Sequence, residues 1–174
     1  MDRSPAVSIP RLSTERLLLR EYRMADFDAY AASVADAEAT RFIGAHDRKH
    51  AFRVFAAQTG TWLLSGAGWW AIELRDTGEH VGQIGAFFRD GFPDLELGWF
   101  TQRAFWGRGF ASEAARAVVR YAFDVRGEPR VTAFIDAANT ASLRVAERLG
   151  MRYERDADIW DQPAGMYALE RAGG

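Results

Sequence analysis

Apolar residues recur along this chain with two different periods. Runs with a period of two, and short continuous apolar runs, predict β-strands, whereas runs with a period near 3.6 predict helices. The predicted strands are residues 16–21, 69–75, 80–89, 95–101, 130–136, 151–156 and 166–170. The predicted helices run from Asp26 to about Ala35, over 37–42, from Lys49 to about Ser65, from Ala111 to Asp124 and from Thr140 to Leu149. This order predicts an α/β (α+β) fold, with a mixed, mostly antiparallel sheet of six or seven strands flanked by helices.

The length of 174 residues suits a single domain. We expect that domain to span residues 1–174, with its core in 14–170 and an irregular lead-in over 1–13. Asp26 and Asp47 stand where N-caps of helices are expected, and Gly150 stands where a left-handed residue would end the last helix.

Charge and cysteine content exclude several classes of function. The net charge is −2 and the pI is about 5.9, so there is no electrostatic case for binding nucleic acid or an anionic membrane. The chain has no cysteine, which excludes thiol nucleophiles, disulfides and cysteine metal sites. His46 and His50 have a spacing that a metal could use, but no third ligand is evident and no metal is expected. Without a long apolar run or a signal-peptide pattern, a cytoplasmic location is expected.

A glycine-rich turn separates the strand at 95–101 from a long amphipathic helix. It reads Trp106-Gly107-Arg108-Gly109-Phe110-Ala111. Because the start of a helix carries unpaired N–H groups and a partial positive charge, this turn suits an anion such as a pyrophosphate. A P-loop would need a lysine and a hydroxyl after Gly109, and a dinucleotide fingerprint would need a third glycine in place of Ser112. Glycines that serve only a tight turn remain an alternative.

Three segments resemble one family. The glycine turn resembles the coenzyme A pyrophosphate loop of the GNAT superfamily of N-acetyltransferases, although Trp106 replaces its usual Gln or Arg. The segments at 14–20 and 139–151 are similar to the Rim-type branch, which is named for acetyltransferases of ribosomal-protein N-termini. The similarity covers about residues 14–170 in family order.

The resemblance implies a fold, a co-substrate and a set of binding residues. The sheet is expected to splay between its fourth and fifth predicted strands, 95–101 and 130–136, where the pantetheine arm would pair with backbone at residues 99–101. Acetyl-CoA is the implied co-substrate, and an acetyl group would pass directly to a primary amine, either a protein N-terminus or a small molecule. Relatives often form homodimers. The implied cofactor-binding residues are Phe100, Thr101, Trp106, Gly107, Arg108, Gly109, Phe110, Ala111, Ser112 and Asn139.

The resemblance also names candidate catalytic residues. Many members use a tyrosine as the acid seven residues after the asparagine, but Ala146 stands there in this chain. Ser142 shares a helix face with that position and is implied as the acid, while a serine that bonds only backbone or cofactor remains an alternative. Glu96 is the candidate base. Its rivals are a water relay and the carboxylates Asp94, Asp158 and Asp161. Asn139 is expected to cap a helix, to contact the pantetheine amides, or both.

Several aromatic residues either line an acceptor pocket or belong to the core. They are Trp62, Trp69, Trp70, Phe87, Phe88 and Trp160. Two other functions remain open at this point. One is a CoA-binding module without catalysis, which the departures at Trp106 and Ala146 would allow. The other is a nucleotide-binding protein that uses the glycine turn for phosphates.

Overall fold

The described residues form a single mixed sheet of eight strands. The computed structural model describes residues 8–159 and 161–172, so the predictions on residues 1–7 and Trp160 lie outside the described residues. The spatial order of the strands is β1-β2-β3-β4-β5-β6-β8-β7, and the β5–β6 pair is parallel while the other pairs are antiparallel. The strands are β1 Leu12–Ser13, β2 Leu17–Arg20, β3 Gly68–Leu74, β4 His80–Phe88, β5 Leu95–Thr101, β6 Arg130–Ile135, β7 Arg152–Asp158 and β8 Pro163–Glu170.

The predicted fold class is confirmed, but the sheet has one strand more than predicted. The additional strand is β1, in which Leu12 pairs with Leu19 and Ser13 pairs with Leu18. Two residues are too few to show an alternating pattern, so this segment was expected to be irregular.

Four helices flank the sheet. They are α1 Phe27–Ala35, α2 Arg48–Ser65, α3 Phe110–Arg120 and α4 Thr140–Leu149, and a π-helical turn extends α3 over Tyr121–Arg126. The predicted cap of α2 is confirmed, since the carboxylate of Asp47 accepts the backbone N–H of His50 at 2.7 Å. Gly150 ends α4 with a φ of 83°, as predicted.

The helix predicted over residues 37–42 is wrong. The chain forms successive turns there, in which the N–H groups of Thr40 and Gly44 donate to the carbonyls of Asp36 and Thr40 at 3.0 and 2.7 Å. So short a segment makes too few helical hydrogen bonds to offset the cost of nucleating a continuous helix. The prediction of α1 is correct, but Asp26 does not cap it. Its carboxylate instead pairs with Arg20 and accepts the N–H of Arg23.

The two sides of the sheet are covered by different helices. On one side, α3 packs on a core that includes Trp70, Leu97 and Val131. On the other side, α1 and α2 enclose a second cluster around Tyr30 and Phe55. The sheet thus presents one face to α3 and α4 and the opposite face to α1 and α2.

The predicted splay of the sheet is confirmed at the β5–β6 pair. These parallel strands share two residue pairs, Leu95 with Val131 and Glu96 with Thr132. Beyond them β5 continues to Thr101, still paired with β4 on its other side. The strands therefore diverge, and the edge of β5 that faces β6 is open for hydrogen bonding beyond residue 96.

Candidate functional site

A cavity lies at the open end of the split between β5 and β6. Its volume is about 460 Å³, which falls in the usual range for small-molecule sites. Its wall comes from the end of β5, the glycine turn, the first turns of α3 and α4, and the turns between α1 and α2. It is lined by Glu38, Ala39, Arg41, Phe42, Ile43, Trp99, Phe100, Thr101, Phe105, Trp106, Gly107, Gly109, Phe110, Ala111, Ser112, Asn139, Thr140, Ala141, Ser142, Arg144, Val145 and Arg148.

The glycine turn forms one end of this cavity. Gly107 and Gly109 have φ angles of 74° and 80°, a left-handed conformation that other residues rarely adopt. Gly109 is the residue before α3, and a Cβ added at Gly107 would meet no atom within 4 Å. The first N–H groups of α3 have no partner inside the helix, so they are available to an anion in this open space.

The segment just before β2 holds the glycine turn in place. Glu113 of α3 accepts hydrogen bonds from the Thr14 hydroxyl, from the backbone N–H of Arg16 at 3.0 Å and from its Nε at 2.7 Å. Arg16 also donates to the backbone carbonyl of Arg108 at 3.0 Å. Burial alone would raise the pKa of Glu113, but the hydrogen bonds from Thr14 and Arg16 outweigh it and lower that pKa. The carboxylate therefore stays ionised and holds the turn.

The side chains of Trp106 and Arg108 make contacts within the protein that the family pattern does not indicate. The indole N–H of Trp106 donates to the carbonyl of Thr101 at 3.0 Å, so this side chain links the turn to the end of β5. The guanidinium of Arg108 lies over the rings of Phe105 and Phe110, at 5.5 and 4.8 Å from their centroids. Arg108 is the implied binding residue of the turn that is outside the cavity lining.

Ser142 lies on the opposite wall, in the first turn of α4. Its Oγ accepts the indole N–H of Trp99 at 3.2 Å, and its backbone N–H donates to the Asn139 side chain at 3.1 Å. Asn139 therefore caps α4, as one of its predicted roles requires. An indole nitrogen can only donate, so Ser142 keeps its own hydroxyl hydrogen for another acceptor.

Glu96 lies at the closed end of the split and does not line the cavity. It is 4% exposed, and both its oxygens are bonded by the Arg89 guanidinium, at 2.5 and 2.7 Å. Burial raises the pKa of Glu96, and the bonds from Arg89 offset this only in part.

The other candidate carboxylates are also outside the lining. Asp94 pairs with Arg130 at 3.3 Å, and Asp158 accepts the N–H of Asp161 at 2.7 Å. The carboxylate that does line the cavity, Glu38, is paired with Arg103 at 2.7 Å. The structure thus brings Ser142 to the glycine turn and leaves these predicted bases apart from it.

Sequence reasoning missed two parts of the wall. Residues 37–42 were expected to form a short helix and were not assigned to the site, whereas five residues of the turns over 38–43 line the cavity. Arg144 and Arg148 were not singled out, although their spacing of four places them on one face of α4. Together with Arg41 they give the cavity a positive lining, which suits an anionic ligand.

Two kinds of feature are absent from the described residues. Residues 8–159 and 161–172 contain no group of three or more His, Cys, Asp or Glu side chains placed to hold a metal ion. Within the same residues, no helix is long and apolar enough to cross a membrane.

Comparison with known proteins identifies the family. The acetyltransferase (GNAT) domain matches residues 16–152. The chain belongs to this family. YkkB of Bacillus subtilis, named an uncharacterized protein, is 38% identical over 104 residues, which cover 59% of this chain and 60% of YkkB. YoaA of the same species, named an uncharacterized N-acetyltransferase, is 31% identical over 149 residues, covering 83% of this chain and 84% of YoaA.

A solved GNAT structure matches nearly the whole chain. The acetyltransferase from Agrobacterium tumefaciens str. C58 superposes with a TM-score of 0.86 at 35% identity, covering 98% of this chain and all of that one. The split sheet described above is therefore a GNAT fold, and acetyl transfer is the general activity of the family to which this chain belongs.

Proposed function

We propose that this GNAT protein transfers an acetyl group from acetyl-CoA to a primary amine, by direct attack while both substrates are bound. The observation that carries the proposal is the cavity at the split of the sheet. There the glycine turn, the open edge of β5 and the hydroxyl of Ser142 all border one space of about 460 Å³.

The residues present fit two parts of coenzyme A, its diphosphate and its pantetheine arm. The amides of residues 107–112 and the arginines of the lining suit its diphosphate. The open edge of β5 at residues 99–101, with Asn139 facing it, suits the amides of the pantetheine arm. A backbone N–H of this edge also suits the thioester carbonyl, where negative charge develops during transfer.

Ser142 is proposed as the acid. In the transfer, the lone pair of the amine nitrogen forms the N–C bond and the C–S bond breaks, with its electron pair moving to sulfur. Ser142 donates its hydroxyl proton to that sulfur and regains one from solvent. Because its Oγ already accepts from Trp99, the hydroxyl hydrogen is left to point elsewhere.

Solvent water is proposed to take the proton that the amine loses. Glu96 is enclosed by its double bond to Arg89 and is outside the lining, and Glu38 is engaged by Arg103. A water relay, one of the alternatives that the sequence leaves open, agrees best with these pairings. The products are an N-acetylated amine and free coenzyme A.

The Rim-type branch is proposed from the sequence motifs at 14–20, 106–114 and 139–151. The acceptor on that basis is a protein N-terminus or a small-molecule amine. A catalytically silent CoA-binding module is the second candidate, because Ala146 stands where many members have their tyrosine acid and is 1% exposed, out of reach of a ligand.

An amine panel distinguishes these candidates. Release of free thiol from acetyl-CoA is followed with peptides starting in Ala, Ser or Met, with simple monoamines, and with polyamines and aminoglycosides. Binding of coenzyme A is measured separately by calorimetry. Thiol release that depends on an amine supports the enzyme. Binding of coenzyme A with no release across the whole panel would contradict acetyl transfer and favour the silent module.

A further inference from the structure

The indole of Trp69 lies flat across two neighbouring strands. A Cβ added at Gly85 of β4 would lie 2.6 Å from Cδ2 of Trp69, and one at Gly98 of β5 would lie 2.8 Å from its Cη2. Real Cβ atoms do not approach that closely, so both glycines are needed for the ring to rest on the sheet. Phe87 stacks on the same indole, with ring centroids 5.1 Å apart and an angle of 22°. We call Trp69 and Phe87 the aromatic floor.

The aromatic floor lies outside the cavity lining itself, over Gly98 on the face of β5 that also carries the lining residue Phe100. Side chains alternate along β5, so Gly98 and Phe100 share one face while Trp99 points to the other. Trp99 contacts Ser142 on the α4 side. Trp69 packs against the cluster enclosed by α1 and α2, and Phe100 on that face lines the cavity. A molecule that approaches the split from this face passes over the floor.

A buried polar atom without a partner lies on the same face. Gln83 pairs with Phe100 across the β4–β5 ladder and stands two residues from Gly85 on one face of β4. It is 3% exposed, and among the described residues its Oε1 has no hydrogen-bond partner. A buried unpaired oxygen is costly, but an atom this enclosed is out of reach of a ligand, so Gln83 is not assigned a contact with the acceptor.

The charges around this face disfavour polycationic amines. Several carboxylates free to pair would be needed to hold a polyamine or an aminoglycoside. Instead Glu96 is bonded twice by Arg89, and Glu38 is bonded by Arg103. What the face does offer is apolar: the floor itself, Phe100, and Phe42 and Ile43 of the neighbouring turns.

We infer that the acceptor is an arylalkyl monoamine, whose flat apolar group rests on the indole of Trp69 beside Phe100. This inference rests on the proposed acetyl transfer. The atoms and protons balance as in the proposed acetyl transfer. The amine nitrogen gains the acetyl group, sulfur gains a proton, and the proton lost by the amine goes to water. Aromatic contacts of this kind select by shape and apolar area.

The test compares 2-phenylethylamine, n-propylamine and spermidine by kcat/KM for thiol release. The expected result is a preference of at least about tenfold for 2-phenylethylamine over n-propylamine, since one apolar group in a fitted site is worth ~10- to 200-fold. Trp69→Ala removes most of this preference by raising KM for 2-phenylethylamine alone, and Trp69→Phe restores part of it. The control is Leu64→Ala on α2, at a residue 89% exposed and outside the cavity lining.

Binding experiments separate the two proposals. Titration of 2-phenylethylamine into the complex with coenzyme A is expected to show saturable binding that Trp69→Ala weakens. If that binding occurs without acetyl transfer, the acceptor site stands and the enzyme activity is refuted. The acceptor assignment is wrong, and acetyl transfer stands, if n-propylamine or spermidine is acetylated with the same kcat/KM as 2-phenylethylamine. The same conclusion follows if Trp69→Phe and Trp69→Ala leave the preference for 2-phenylethylamine unchanged.

Discussion

The indole N–H of Trp99 donates to Oγ of Ser142 across 3.2 Å, joining the diverging strand β5 to the first turn of α4. The two residues are 43 positions apart in the chain. This bond fixes the direction of the serine hydroxyl, because the oxygen accepts from the indole and its hydrogen must point away from it.

Replacing Ser142 with Ala is expected to lower the single-turnover rate of acetyl transfer by up to ~10²-fold, the low end for lost general acid catalysis. Rapid-quench measurement with saturating acetyl-CoA checks this. Ser142→Thr keeps a hydroxyl and is expected to retain more activity than Ser142→Ala. Ser65→Ala, at the end of α2 and outside the cavity lining, is the matched control. An unchanged rate in Ser142→Ala would rule out the acid role.

Replacing Trp99 with Phe removes the hydrogen bond to Ser142 and keeps an aromatic ring. A neutral hydrogen bond contributes about 1 kcal/mol, so the rate is expected to fall about fivefold. In the background of Ser142→Ala the same change is expected to have almost no effect, because the bond is already absent. Equal effects in both backgrounds, measured as a double-mutant cycle on the single-turnover rate, would show that Trp99 does not act through Ser142.

Replacing Gly107 with Ala is expected to weaken coenzyme A binding about tenfold, which corresponds to ~1.4 kcal/mol. The added methyl group enters the open space in front of the turn, and the φ of 74° becomes strained. Gly91→Ala is a matched control, since Gly91 has a φ of 82° and equally open space but lies outside the cavity lining. Both variants should lose similar thermal stability, and calorimetry should find weaker binding in Gly107→Ala alone.

Replacing Glu96 with Gln is expected to lower thermal stability and leave the pH profile of kcat/KM unchanged. The neutral amide no longer compensates the charge of Arg89, which is why the fold is weakened. Removal of a catalytic base would instead lower the rate by ~10²- to 10⁴-fold. Loss of the acidic limb of the profile in Glu96→Gln would therefore return Glu96 to the role of base.

Replacing Asp26 with Asn is expected to cost about 2 kcal/mol of unfolding free energy at pH 7, because the buried Arg20 loses two charge-assisted hydrogen bonds and keeps Glu73 as an ion partner. Burial alone would raise the pKa of Asp26, but the bonds from Arg20 outweigh it and lower that pKa. The carboxylate thus stabilises the fold above its unfolded pKa of about 3.9, and this stability is lost as the pH falls through the lower folded pKa. Urea unfolding from pH 7 to pH 3 should show a shallower acid dependence in Asp26→Asn.

An exposed ion pair between the first turn of α1 and the start of α2 is the control for that experiment. Asp28 pairs with Arg48, and its side chain is 85% exposed. Asp28→Asn is expected to change the unfolding free energy by less than about 1 kcal/mol, the usual limit for a solvated ion pair. If both aspartates gave the same loss, burial of Arg20 would not be the cause.

The features that sequence predicted best are those whose chemistry is local. Asp47 caps α2 through an amide three residues away, and Gly150 ends α4 by its own backbone conformation. The glycine turn is predictable for the same reason, since Gly107 and Gly109 need no distant partner to adopt a left-handed φ.

The features that sequence missed depend on contacts between distant segments. The sequence names Glu96 as a candidate base, but it does not show that Arg89 of the preceding connection would enclose the carboxylate. Ser142 was singled out by the resemblance and by helix spacing, whereas its partner Trp99 belongs to another element. The segment over residues 37–42 forms successive turns because it is too short to nucleate a continuous helix.

The hydrogen bonds between Glu113 and the segment just before β2 limit which parts of the chain could be excised or transplanted and still keep the shape of the glycine turn. Glu113 receives its hydrogen bonds from Thr14 and Arg16, nearly one hundred positions earlier, and Arg16 also bonds the carbonyl of Arg108 inside the turn. A peptide copied from β5 through α3, or the same stretch grafted onto a foreign scaffold, would carry every glycine of the motif without the side chains that brace it. The proposed binding of a diphosphate would thus depend on the assembled domain rather than on the glycine motif alone.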